Sequence, residues 1–183
     1  MAHQGIGASP LRREDARFIT GHGQFVSDID VAGQMHCAFV RSPHAHARIT
    51  SIETSAALGM PGVHAVLTGA DMACDAVAAM RALWPVTGVD GPAIEPPRFG
   101  LARGAVFHVG EAVALVIAAS RAQAEDGAEQ VRVEYAELPA VTTARAALSA
   151  DAPQLHAAAP NNLCYRYLRG DRARTDADRK SVV

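Results

Sequence analysis

The sequence predicts an α+β domain with a mixed sheet and strand-helix-strand crossovers, on three observations. Period-2 alternation marks strands near 35–40 and 131–135, the run Ala112 to Ala119 is apolar throughout, and twice a strand pattern leads through a short alanine-rich helix into another strand. Two such units in one chain argue for crossover connections. At 183 residues and 49% hydrophobic, the chain can build one core.

Residues 1–24 carry four glycines, a proline and the cluster Arg12-Arg13-Glu14-Asp15 without a period of 2 or 3.6, which predicts an extended arm. Met35, Cys37 and Phe39 alternate with His36, Ala38 and Val40 as a strand that ends at Arg41-Ser42-Pro43. Ile49 and Ile52 supply β-branched bulk for a strand at 48–53, Thr54 or Ser55 can cap a short Ala-Ala-Leu helix, and Pro61-Gly62 makes the turn into a strand at 63–68. Residues 73–104, with Pro85, Pro92, Pro96 and Pro97, read as a long surface excursion, expected with the arm to be the most mobile part.

Val113, Leu115 and Ile117 alternate with Ala114, Val116 and Ala118, so the strand at 113–118 has no polar face and is expected to be covered on both sides. Ser120 is the expected N-cap of a helix over 120–130, with Gln123 placed for a capping box. Ala124, Ala128 and Val131 form its buried stripe, and Gly127 beside them implies close approach of helix to sheet. A strand at 131–135 follows, then a short helix near 144–148, a last strand over 163–168, and a charged tail, 171–183, not expected to be ordered alone.

Seventeen Lys and Arg against nineteen Asp and Glu give a net charge of −2, which leaves no basic excess for phosphates and argues against a nucleic-acid partner. The first twenty residues lack the apolar stretch of a secretory signal, and the apolar run 112–119 is far too short for a membrane span. Cys37, Cys74 and Cys164 are widely separated, with no Cys-x-x-Cys pair and no even count, as expected of thiols in a reducing cytoplasm.

Neither Gly5-Ile6-Gly7 nor Gly21-His22-Gly23 has the third glycine of a dinucleotide fingerprint, and neither a phosphate loop nor a nucleophile elbow is present. His44 and His46, two apart in an extended segment, project to one side and could share a metal. No third ligand lies at a supporting spacing, so packing or hydrogen bonding is the commoner role. Glu111 could serve as a general acid or base if desolvated, although a lone carboxylate at a strand start is more often a turn or interface acceptor. Asp28, Asp30 and Asp71 read as turn acids. From the residues alone, the chain is an α+β domain with no assembled active site.

Several blocks carry a resemblance. They are Thr20-Gly21 with Asp28-Ile29, the run Arg41-Ser42-Pro43-His44-Ala45-His46-Ala47, and Pro61-Gly62-Val63 ahead of Thr68 and Asp71. Val109-Gly110-Glu111, Ala124-Glu125-Asp126, and Val133-Glu134-Tyr135 with Leu138-Pro139-Ala140-Val141 then follow in order. Together they resemble the opening of the large subunits of the xanthine dehydrogenase, aldehyde oxidase and carbon monoxide dehydrogenase family. Ala112 departs from the pattern, which usually has proline after Gly-Glu, and puts the geometry of that turn in question.

The resemblance implies an α/β hammerhead domain over 25–170, preceded by the arm 1–24 and followed by the tail 171–183 leading to a missing molybdopterin-binding domain. It implies no catalytic, cofactor-binding or metal residue in this chain, since the molybdopterin-type cofactor and the active-site glutamate belong to later parts of the subunit. Arg41, Ser42, Pro43, His44, His46, Gly110 and Glu111 are the expected interface residues. The implied partners are the remainder of the subunit and the iron–sulfur and flavin subunits or domains. Two readings follow: a scaffold and interface part of a molybdenum hydroxylase, or a stand-alone binding or structural module derived from one.

Overall fold

The computed structural model describes residues 5–7, 9 and 11–180, with only the backbone at Lys180. The outermost parts of the expected arm and tail, residues 1–4, 8, 10 and 181–183, lie outside the described residues. Two compact units divide at Gln34 and Met35. The first holds a helix, α1 (Asp15–Ile19), inside the segment expected to be extended. Its turns close locally: the Asp28 carboxylate accepts from the Phe25 N–H at 2.9 Å, the role expected of a turn acid.

In the second unit β1 (His36–Arg41), β2 (Ala47–Glu53), α2 (Ser55–Leu58), β3 (Val63–Thr68) and α3 (Gly69–Cys74) come first. The short β4 (Thr87–Gly88), β5 (Gly91–Pro92) and β6 (Ala105–Val106) follow, then β7 (Ala112–Ala118), α4 (Arg121–Glu129), β8 (Arg132–Glu137), α5 (Ala144–Ala147) and α6 (Arg172–Lys180). Each of the five expected strands from 35 to 135 is present, as is the helix expected over 120–130.

These strands build two three-stranded sheets, ordered β1-β7-β3 and β6-β2-β8, with every pairing antiparallel. The α+β class holds, and the mixed sheet does not. A parallel return within one sheet needs a crossover of a dozen or more residues, and β2 reaches β3 through 54–62 alone. Each strand-helix-strand unit therefore starts in one sheet and ends in the other, so β2 lies against β8 while β3 lies against β7.

One core cluster, Ala57, Ala114, Val116 and Val131, fills the space under α4 and α2. A second, Ala47, Ala102, Val106 and Val113, joins the sheets, and Ile52 and Val133 pack against both. These side chains are small, so helix and sheet approach closely. A Cβ built on Gly127 of α4 would lie 3.0 Å from a methyl of Val116 and one of Val63, which accounts for a mid-helix glycine. Gly127→Leu is expected to destabilise the domain by about 2 kcal/mol, overpacking outweighing the helix propensity regained. The midpoint of urea unfolding, at unchanged slope, checks it.

The helix caps match the sequence in part. Ser120 Oγ accepts from Gln123 N at 3.3 Å and donates to Gln123 Oε1 at 3.0 Å, so the reciprocal bond runs to the hydroxyl instead of the backbone. Thr54 occupies the N-cap of α2 without a side-chain bond. Gly62, at φ +82°, makes the turn into β3 that Pro61-Gly62 predicts.

The long connection 73–104 is anchored by the β4–β5 hairpin, by a bridge between Met80 and Arg98, and by Arg103, whose guanidinium donates to Val77 O at 2.6 Å. Residues 163–168 form no strand. They lie beside the hairpin, where Val89 N donates to Arg166 O and Ile94 N to Cys164 O, both at 2.8 Å, and Arg166 chelates Asp90. Within the tail, residues 172–180 are helical as α6. Asp171 caps it through Arg174 N at 3.1 Å, and Arg172 meets Asp176 one turn on at 3.6 Å.

A candidate interface site at the junction of the sheets

The loop 41–46 carries the chain from β1 to β2, that is, from one sheet to the other. Its centre is Ser42, which is 2% exposed. Its N–H donates to Glu111 O at 2.9 Å and its carbonyl accepts from Gly110 N at 2.8 Å, continuing the β1–β7 ladder past the strand end. The hydroxyl accepts from His44 N at 3.0 Å and donates to His44 O at 3.3 Å, a local turn of the kind serine favours. Burial raises the Tyr135 pKa, and the nearby Ser42 hydroxyl offsets part of that rise. Arg41 extends over the Phe39 ring at 5.2 Å and donates to Gly110 O at 2.8 Å.

Gly110, at φ +86°, forms the turn ahead of β7 in a conformation that side chains rarely adopt. Glu111 folds back under this turn: its carboxylate accepts from Phe107 N and lies 3.5 Å from His108 Nδ1. The departure at Ala112 leaves the turn intact, because Ala112 pairs with Arg41 and its carbonyl accepts from Ala102 N at 2.8 Å.

The two histidines diverge. His44 Nδ1 lies 3.4 Å from Glu137 and its ring tilts against Tyr135 with centroids 4.8 Å apart. His46 Nδ1 is 2.7 Å from Pro139 O, and since a carbonyl only accepts, that nitrogen carries the proton. The His46 ring stacks on Phe107 at 5.3 Å, and Phe107 stacks in turn on His156 at 4.1 Å. Among the described residues no group of three or more His, Cys, Asp and Glu side chains could hold a metal.

The structure thus brings Arg41, Ser42, His44, His46, Gly110 and Glu111 into one junction. Pro43 lies exposed in the same loop. Their side chains are engaged with backbone groups and rings, which fits a packing role and offers no nucleophile with a base beside it. Phe107 and His156 belong to the same cluster and had no signal in the sequence. His156 is 110 residues from His46, and no spacing rule connects positions so distant.

Burial lowers the His156 pKa, the nearby His46 and Arg98 lower it further, and Glu111 acts in the opposite sense. A histidine whose folded pKa is depressed stabilises the fold fully above its unfolded value near 6.5, and that contribution is lost as pH falls through the folded value. The melting temperature is expected to drop as pH falls below about 6.5, and less so in His156→Phe, which keeps the stack and removes the titration. Glu111→Gln removes the attraction for the imidazolium and should steepen the drop. Thermal scans between neutral and acidic pH test both, and equal profiles in all three proteins would refute the assignment.

The a/b hammerhead domain of aldehyde oxidase and xanthine dehydrogenase matches residues 20–139 of this chain. The nicotine 6-hydroxylase large subunit of Paenarthrobacter nicotinovorans is 44% identical over 161 residues, 88% of this chain and 19% of that protein. The carbon monoxide dehydrogenase large chain of Hydrogenophaga pseudoflava is 40% identical over 190 residues, 97% of this chain and 22% of that protein. Among solved structures, carbon monoxide dehydrogenase from Oligotropha carboxidovorans superposes with a TM-score of 0.75 at 35% identity, covering 95% of this chain and 22% of that one. The chain spans about a fifth of the length of these relatives.

Proposed function

Because this chain belongs to the aldehyde oxidase and xanthine dehydrogenase hammerhead family, we propose that it acts as a scaffold and interface part of a molybdenum hydroxylase large subunit, and that oxidoreductase activity arises only with the remainder of that subunit. One observation carries this reading. The family-motif residues are spent on the framework where the two sheets meet: Ser42 and Gly110-Glu111 lock the β1–β2 loop to the start of β7, while His44 and His46 reach Glu137 and Pro139 at the end of β8. A site that holds its own framework in this way supplies shape and not chemistry.

A molybdopterin-type cofactor belongs, on this reading, to the complete subunit, where it would supply the redox step. The family resemblance assigns its binding to later parts of the subunit, and in this chain His44 and His46 each turn Nδ1 to a partner inside the domain. Iron–sulfur and flavin groups would sit on companion subunits or domains, in keeping with relatives named as parts of larger assemblies. No described helix is long and apolar enough to cross a membrane. The three free thiols fit a reducing cytoplasm, which is where we place the protein.

The purified chain is expected to bind no molybdenum, iron, flavin or nicotinamide and to oxidise no aldehyde, purine or carbon monoxide. Elemental analysis, an optical spectrum and a dye-reduction assay test this. Stoichiometric molybdenum or dye reduction above background would overturn the scaffold reading.

A further inference from the structure

The two sheets differ in what their free faces carry. Sheet β6-β2-β8 turns Arg48, Glu53, Arg132 and Glu134 away from the core, as an antiparallel sheet facing water does. Sheet β1-β7-β3 is covered on one face by α4 and α2, with Ala114 and Val116 fully buried beneath them. Its other face is different. The register sets Phe39, Leu115 and Leu67 in one row across the three strands, and Cys37, Ile117 and Ala65 in the next. None of the six is fully buried, and Phe39 is 46% exposed. Only at Val113 does the inter-sheet core close over this face.

The sequence predicts β7 as a strand covered on both sides, and in this chain one side is covered only at its end. A contiguous apolar face of this kind, spanning strands about 4.8 Å apart, marks a surface that another body covers. Resting on the proposed function, we infer that this face of β1-β7-β3 is the surface on which the remainder of the large subunit packs. The relatives are about five times as long as this chain, so polypeptide enough to cover it exists in each of them.

Cys37 lies on the face and reports on its coverage. The test uses the full chain with Cys74→Ser and Cys164→Ser, alone and substituted for the matching segment of the Hydrogenophaga pseudoflava carbon monoxide dehydrogenase large chain. A companion pair carries Glu134→Cys on the polar sheet with all three native cysteines changed to serine. Alkylation of Cys37 by a maleimide is expected to slow at least tenfold in the chimera while the thiol at 134 reacts alike in both forms. Phe39→Asp should leave the isolated chain folded and restore rapid Cys37 alkylation in the chimera. Protection at 134 but not at 37 would overturn the inferred face and leave the scaffold reading standing. A soluble chimera in which neither thiol is protected would overturn both, and protection of Cys37 in the isolated chain that grows with concentration would assign the face to a second copy.

Discussion

Ser42→Leu should unfold the domain or reduce its stability by about 3–5 kcal/mol, a large part of the 5–15 kcal/mol typical of a domain. Two costs combine. The hydroxyl's bonds from His44 N and to His44 O are lost, worth about 1 kcal/mol each. The larger side chain must then enter a position only 2% exposed, where overpacking costs about 1–3 kcal/mol. Ser42→Ala removes both bonds without adding volume and should cost about 2 kcal/mol. Urea unfolding of the three proteins orders them. If Ser42→Leu were as stable as the native chain, the loop would not be the tie between the sheets that its geometry makes it.

What the sequence discloses about this molecule follows from the range of its signals. The strand over 112–118 was legible because each of its residues is apolar, and the helix after it because a cap, an alanine stripe and one glycine agree within a dozen positions. Pairing direction was not legible. It depends on which strand a chain segment meets after leaving a helix, and the all-apolar run that commonly marks a buried parallel strand belongs here to β7, antiparallel to both its neighbours. The helix α6 was hidden by composition: Asp171 and the Arg172–Asp176 pair support it locally, although the segment has no apolar stripe.

The candidate site was half legible for the same reason. Arg41 to His46 and Gly110-Glu111 are each local motifs, and the structure shows that they meet through backbone bonds across 69 positions of sequence. The metal option for His44 and His46 depended on both rings facing one point. They part because Tyr135 and Glu137 draw the first while Phe107 and Pro139 hold the second, and those partners lie 61 to 93 positions away.

Asn162 is the residue from which the second large loss is expected. It sits at φ +57°, a left-handed conformation that asparagine tolerates and most residues do not. Its side chain accepts from Leu155 N at 2.8 Å and donates to Ala147 O at 3.1 Å and Pro153 O at 2.9 Å, closing the segment that presents His156 to Phe107. Asn162→Ala gives up three bonds at about 1 kcal/mol each and adds roughly 1 kcal/mol of backbone strain, so a loss near 3–4 kcal/mol is expected. Asn162→Gly loses the same bonds without the strain and should be about 1 kcal/mol more stable than the alanine variant. Asn162→Asp keeps the bond from Leu155 N but turns a carboxylate oxygen towards the Ala147 and Pro153 carbonyls, and should be no more stable than Asn162→Gly. Urea unfolding measures the order. The imidazole titration of His156, followed by NMR, should return towards 6.5 in Asn162→Ala as the ring leaves its stack, because burial is the largest cause of its depressed pKa. An unchanged titration alongside the stability loss would mean that Asn162 supports the chain without positioning His156.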